Sequence, residues 1–247
     1  MVDSSIGGRT HRMRRKVERE LLDELLPSDH RAIVSRRDLQ RVNGWLRHSS
    51  IMSRTLTGAF SGRSPRSIVE LGAGDGTNLL RLAKSIAYRW RPLRVVLVDQ
   101  QLSLSSQTKA EFKALSWHLE FLEMDVFDWL QRPYMEHCDL TIANLFLHHF
   151  TEEHLRRLLW HVARQTGFFL TCEPRRATFS LCGAALLRVA GCNDVTRYDA
   201  KISVRAGFKK NELSELWPAG IGWQLTERHA GLFSHYFEAQ RIGEGRL

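Results

Sequence analysis

The stretch SIVELGAGDGTNLLRL, residues 67–82, constrains this chain more than any other. It reads as a short apolar strand, a Gly-x-Gly-x-Gly turn and an amphipathic helix. Glycines at 72, 74 and 76 let the backbone turn sharply and approach a ligand where a Cβ would collide. The turn feeds a helix N-terminus, whose free N–H groups favour a negatively charged group. One helix later a second apolar run, RVVLVD at 94–99, ends in Asp99, a carboxylate suited to two ribose hydroxyls. Strand, glycine turn, helix, strand and acid together describe a nucleoside-binding βαβ unit, and Asp99 outweighs the alternative of a tight turn without a ligand. The glycine spacing is not that of a dinucleotide site, because Thr77 stands where the third small residue would be. No Lys-Ser/Thr pair follows to make a P-loop.

These residues resemble the class I S-adenosylmethionine-dependent methyltransferases. The first motif of that family matches residues 69–76, VELGAGDG, and the second matches Asp99. The third matches Met124-Asp125-Val126 after the strand HLEFL at 118–122. The fourth matches DLTIAN at 139–144. The likeness covers roughly residues 65 to 240. It implies a Rossmann-like, mostly parallel seven-stranded α/β sheet with helices on both faces and an antiparallel last strand. It also implies S-adenosylmethionine as cofactor. Asp99 would hold the ribose, with Gln100 beside it. Asp125 would meet the adenine amino group and the Val126 N–H a ring nitrogen. Gly72, Ala73, Gly74 and Gly76 would pass the methionine moiety, with Glu70 near its ammonium group and Asn144 at the fourth strand end.

The 247 residues suffice for one sizeable α/β domain with an appendage. No apolar stretch approaches the ~20 residues of a membrane helix, and the basic N-terminus lacks the apolar run of a secretory signal; a cytoplasmic protein is expected. Cysteines 138, 172, 182 and 192 form no Cys-x-x-Cys pair, which argues against zinc and a disulfide framework. The net charge of +9 is concentrated near the N-terminus, at Arg9, Arg12, Arg14, Arg15, Lys16 and Arg19. Such a balance is compatible with nucleic acid, anionic lipid or an acidic substrate, or with a solvated helix face and frayed tail.

Residues 1–12 read as a polar tail. A helix pattern follows over 14–26, ended by Pro27, then a longer one over 35–56 interrupted by Gly44. Residues 1–60 are therefore expected to form a helical cap, and 61–247 the cofactor-binding domain. In the latter, strands are expected near 67–71, 94–99, 118–123, 138–143 and 167–172, with helices near 76–87, 103–115, 152–165 and 178–190. Residues 193–208 read as a polar insertion. A short helix at 211–216 and a closing antiparallel hairpin, 223–229 and 233–241, complete the chain.

Ligands of an open α/β sheet bind outside the carboxyl ends of its strands, where Glu70, Asp99, Asp125, Asn144 and Glu173 all fall. After the fourth strand, His148 and His149 are candidate general bases, because imidazole titrates near neutrality. The bland alternative is that both pack or cap the next helix. Adjacent histidines are expected to point in different directions, leaving at most one as a base. After the fifth strand, Glu173, Arg175 and Arg176 could pair or reach an anionic substrate. Arg197, Tyr198 and Asp199 lie in the segment that lines the acceptor pocket in the resembled fold. No pair of histidines or acids has a familiar ligand spacing, so no metal is expected.

The loop after the fourth strand lacks the Asn/Asp-Pro-Pro-Tyr/Phe sequence of amine-directed family members. A small phenolic or polyketide-like acceptor with O-methylation is favoured. The alternatives are an RNA methyltransferase using the basic N-terminus for phosphates, or a nucleic-acid-binding protein with a vestigial cofactor site. Asp99→Ala should weaken S-adenosylmethionine binding by about 1–3 kcal/mol, as expected for lost hydrogen bonds to a charged group. Calorimetry on wild type and variant measures this directly.

Overall fold

A computed structural model describes residues 13–90, 92–101, 103–132, 137–220 and 222–242. The polar tail expected at 1–12 lies outside the described residues. Seven strands form one sheet: β1 (Ser67–Leu71), β2 (Arg94–Asp99), β3 (His118–Glu123), β4 (Cys138–Asn144), β5 (Thr166–Pro174), β6 (Trp223–Ala230) and β7 (Ser234–Arg241). Their order is β3-β2-β1-β4-β5-β7-β6. The first five strands run parallel, β7 is antiparallel to β5, and β6 is antiparallel to β7. The expected mostly parallel sheet with a reversed end is thus present. The strand order changes direction beside β1, so the crevice that an α/β sheet offers to ligands opens between β1 and β4.

Among the described residues ten α-helices surround the sheet: α1 (Leu21–Glu24), α2 (His30–Leu46), α3 (His48–Ala59), α4 (Thr77–Ile86), α5 (Ser106–Ala114), α6 (Val126–Leu130), α7 (Glu152–Gln165), α8 (Thr178–Leu186), α9 (Asp194–Ala206) and α10 (Glu212–Leu216). The central strands are buried on both sides, which accounts for their nearly continuous apolar sequences. One core layer joins Leu79, Leu82, Ile86 and Phe112 to Met52 and Leu56 of α3. The other joins Leu155, Leu158 and Leu159 of α7 to Val69, Leu71 and Phe169. No helix among the described residues is long and apolar enough to cross a membrane.

Three expectations are corrected. Residues 14–26 are not one helix. Residues 13–20 form no regular secondary structure, and the chain makes a single turn at Leu21–Glu24. A helix that short gains little from its own hydrogen bonds, and here contacts to α9 replace them. The Lys16 N–H donates to the Arg205 carbonyl at 3.2 Å, and the Leu21 and Leu22 N–H groups donate to the Asp199 carboxylate at 2.8 and 3.1 Å. Second, Gly44 does not interrupt the next helix. The break comes at Arg47, in the left-handed region at φ 55°, and separates α2 from α3. Third, the segment read as a polar insertion is α9. Its Asn193 side chain accepts from the Thr196 N–H at 2.8 Å, an N-cap that the run of polar residues concealed.

The helices before β1 are tied to the sheet by polar seams. Ser35 and Thr196 bridge α2 and α9 at 2.8 Å, and Asp38 accepts from the Asn193 N–H at 2.8 Å. His48, fully buried, joins three elements. Its Nδ1 lies 2.7 Å from Asn144 Oδ1 and its Nε2 lies 2.6 Å from Ser234 Oγ. Asn144 Oδ1 can only accept, so Nδ1 donates and Nε2 accepts from the serine. This neutral tautomer suits the site, where burial pushes His48 down to about 4. A histidine whose folded pKa is depressed loses stability as pH falls below its unfolded value. Wild type should therefore lose more stability than His48→Gln between pH 6.5 and about 4. Denaturant unfolding of both proteins across that range checks the difference.

Candidate active site

The glycine turn after β1 takes the conformation its sequence requires: Gly72, Gly74 and Gly76 all have positive φ, at 68°, 54° and 69°. A Cβ on Gly72 would fall 2.1 Å from the Phe146 ring, so the turn after β1 and the loop after β4 interlock there. The Gly74 N–H donates to Asp99 Oδ2 at 2.8 Å, while Asp99 Oδ1 accepts from the Gln101 N–H at 2.8 Å. Asp125 caps α6 through the Phe127 N–H at 2.6 Å, and the Gln100 amide donates to its other oxygen. Glu70 is buried and accepts from Asn78 at 3.0 Å through Oε1. Its Oε2 is buried with no hydrogen-bond partner. An orphaned carboxylate oxygen beside a glycine turn fits a cationic ammonium group.

A cavity of about 970 Å³ opens here. One end is polar and lined by Glu70, the turn 72–75, Asp99, Gln100, Val126 and Asn144. The other end is apolar, lined by Leu39, Val42 and Trp45 of α2, Leu186 and Leu187 near the end of α8, and Phe233. Its volume lies near the top of the range for ligand sites, leaving room for two molecules side by side.

The loop 145–150 lines the cavity and carries both candidate histidines. It is organised from below by Glu173, which is fully buried. The Glu173 carboxylate accepts from the N–H groups of Phe146, Leu147 and His148 at 3.1, 3.0 and 3.3 Å. It also accepts from Thr171 Oγ1 at 2.9 Å and lies 2.8 Å from His148 Nδ1. Burial alone would raise this acid, but the His148 contact and the backbone donors hold it below the ordinary carboxylate range.

Above the loop runs the N-terminal strap, residues 13–24. Arg15 donates to the carbonyls of Ala206, His148 and Phe150 at 2.7, 3.2 and 2.8 Å, and its guanidinium covers the Phe208 ring. Glu20 hydrogen-bonds to Ser203 and lies 3.5 Å from His148 Nε2. His148 is therefore held between two carboxylates. Burial would depress its pKa, but the contacts to Glu173 and Glu20 prevail and push it up to about 9. Burial would likewise raise Glu20, but the contact to His148 holds it at about 2. His149 is pushed down to about 4 by burial and by the charge on His148. The two histidines are thus driven in opposite directions, His148 toward the imidazolium and His149 toward the neutral imidazole.

Several expected site residues take other places. Glu173 lies beneath the loop rather than in the cavity. Asp199 is buried as the cap of α1. Arg175 stacks on the Phe179 ring. The Arg197 Nε bonds back to the Asn193 carbonyl at 3.2 Å. Tyr198 is about half exposed. None of these five lines the cavity, because α9 presents Ala200, Ser203 and Val204 to it instead. Gly76 and Asp125 also stand behind the lining, Gly76 packing toward Leu104 and Leu97. Arg176, read as a partner of Glu173, pairs with Glu212. The histidines do not diverge: their rings lie 4.3 Å apart at 34°. Nor are the histidines and acids dispersed, since ligand-capable atoms of Glu20, His148 and His149 all lie within 4.8 Å of one another. Sequence reading missed Glu20, Asp23 and His48. The two acids sit in a run that reads as an amphipathic helix, and His48 carries no motif.

A family profile described as a methyltransferase domain matches residues 68–166. The profile covers less than half of the chain, and the fold is that of the class I, Rossmann-like S-adenosylmethionine-dependent methyltransferases. No curated protein matches the sequence significantly. Among solved structures, the fold is similar to the plantazolicin methyltransferase BpumL in complex with SAH, with a TM-score of 0.60 and 13% identity over 87% of this chain and 91% of that one. It is also similar to an O-methyltransferase family protein from Burkholderia thailandensis, with a TM-score of 0.53 and 16% identity over 89% of this chain and 65% of that one. A third, the S-adenosylmethionine-dependent methyltransferase SibL, has a TM-score of 0.58 and 14% identity over 92% and 63%.

Burial pushes Glu70 up to about 8, so it is largely protonated at neutral pH without a ligand. A cofactor ammonium placed at its orphaned oxygen would stabilise the carboxylate, so binding should release a proton. Affinity should rise between pH 6 and about 8. The binding enthalpy at pH 7 should depend on buffer ionisation enthalpy in wild type, and lose that dependence in Glu70→Gln.

Proposed function

We propose that this chain is an S-adenosylmethionine-dependent methyltransferase acting on a small, largely apolar acceptor through a hydroxyl oxygen. The acceptor would lie in the apolar end of the cavity under a cap formed by the strap at residues 13–24 and α2. The observation that carries this reading is one cavity with two unlike ends meeting at His148 and His149. Structures of similar fold crystallised with SAH, and one belonging to an O-methyltransferase family, support it.

The bound cofactor supplies a methyl group on a sulfonium centre. Glu70, the glycine turn and Asp99 would hold its methionine and ribose parts, and Val126 its base. Leu39, Val42, Trp45 and Leu187 would desolvate the acceptor and hold it in line, which accounts for a large part of such a rate enhancement. The hydroxyl proton must leave as the oxygen reacts. His148 is already protonated between Glu20 and Glu173, so the free lone pair in the cluster belongs to His149. Nucleic acid is the weaker reading. Arg15, one of the basic residues that would have met phosphates, is engaged with three internal carbonyls.

His149→Ala should lose about 10²–10⁴-fold in turnover while keeping cofactor affinity. The loss should shrink at high pH, where a phenolic acceptor ionises unaided. Screening phenolic acceptors by transfer of labelled methyl, at several pH values and with melting temperatures in parallel, tests the reading. A variant that only loses stability and keeps its turnover per folded molecule would contradict it.

A further inference from the structure

We propose that Glu20, His148 and His149 form a binding site for a divalent transition-metal cation at the meeting point of the two cavity ends. This rests on the reading of that cavity as the methyl-transfer site, and it specifies how the cluster handles the acceptor hydroxyl.

Four observations carry it. First, the three ligand-capable atoms come from two distant parts of the chain and lie within 4.8 Å of one another. Second, His148 Nε2 and Glu20 Oε1 are 3.5 Å apart. A charge-assisted hydrogen bond closes to roughly 2.7–2.9 Å. Two ligands at about 2.0–2.2 Å from one tetrahedral cation stand roughly 3.4 Å apart. The separation matches ligands better than a direct bond. Third, the other nitrogen of His148 is 2.8 Å from the buried Glu173 carboxylate. A carboxylate behind a ligating imidazole fixes the tautomer that turns the other nitrogen toward a metal, and the cation would displace the Nε2 proton that His148 carries without it. Fourth, Asp23 Oδ2 lies 4.0 Å from His149 Nδ1 and also lines the cavity, giving the site a further oxygen donor within a short side-chain movement. Three acids, Glu20, Asp23 and Glu173, thus surround two imidazoles, a balance that favours an added positive charge.

Two nitrogens and a carboxylate oxygen suit Zn²⁺ or a neighbouring first-row ion rather than Mg²⁺ or Ca²⁺. Three protein ligands leave a coordination position open toward the cavity, as in sites where a metal activates an oxygen. An acceptor hydroxyl coordinated there would ionise near neutral pH and release its proton to solvent past Asp23. Its oxygen would then bond to the methyl carbon as the sulfur–carbon bond breaks, with that bond's electron pair staying on sulfur. His149 would act as a ligand in this arrangement, and its loss would still abolish turnover.

The test uses the untagged full chain, stripped with a chelator and titrated with Zn²⁺ by calorimetry, with SAH binding measured on the same samples. One equivalent should bind. Glu20→Gln and His149→Ala should each weaken Zn²⁺ by at least ~10-fold, and Glu173→Gln by ~10–100-fold through loss of the His148 support. SAH affinity should be retained in Glu20→Gln and His149→Ala, which shows that these two variants fold. The exposed His30→Ala should bind Zn²⁺ like wild type. Co²⁺ should show the visible absorption of a low-coordinate site. Absence of Zn²⁺ binding, or binding indifferent to both Glu20→Gln and His149→Ala, would overturn the cation site. Undiminished methyl transfer after stripping would overturn it too and leave His149 as the base. If wild type fails to bind SAH, the reading of the cavity itself fails, a different result.

Discussion

The carboxylate of Glu173 is the group around which the active site is assembled. Three consecutive backbone N–H groups, a threonine hydroxyl and an imidazole nitrogen converge on its two oxygens. A buried charge is costly unless it is fully hydrogen-bonded, and this one has donors enough to stay ionised. The same donors are what the loop after β4 would otherwise leave unsatisfied. Loop and acid thus solve each other's desolvation problem, and the solution fixes where Phe146 and both histidines stand. Phe146 in turn occupies the space that a side chain at position 72 would need. The position of the glycine turn is therefore linked to an acid two strands away.

Much of the sheet is legible in the sequence because its signals are local. Largely apolar runs of five to seven residues, each with an acid or an amide at or next to its last position, mark β1, β2, β3 and β4 within a residue of their observed ends. Asp99 is recognisable because strand, turn and acid follow in fixed order. The acceptor side was less legible because its contacts are long-range. Asp199 carries the same carboxylate whether it faces a ligand or caps a helix, and only the return of the N-terminal strap decides the matter. Glu20 sits in a stretch with helical periodicity and basic neighbours, where nothing local distinguishes it from a solvated acid. The apolar residues expected to bury the helix over 14–26 do not do so: Leu21 is partly exposed and Leu26 largely so. Tertiary capping by α9 overrode the local pattern.

Charge in the site follows from depth as well as from partners. His148 and His149 are adjacent in sequence, with rings nearly in contact, yet they are driven to opposite protonation states. The first is flanked by two acids. The second is the neighbour of the resulting cation. One fixed positive charge beside one free lone pair is an asymmetry that the dipeptide alone does not contain; it comes from Glu173 beneath and Glu20 above.

The strap that delivers Glu20 is the earliest part of the described chain to be synthesised, yet its docking surface lies among the last. Arg15 reaches carbonyls more than 130 residues later, and the first turn is capped by a carboxylate 178 residues further on. Loops of that length close late, because their entropy must be met before any contact rewards it. A nascent chain can complete β1 to β4, and with them the glycine-turn side of the cavity, well before the side lined by α8 and α9 exists. The cavity is therefore completed as a single late event, when the strap at residues 13–24 folds back over α9.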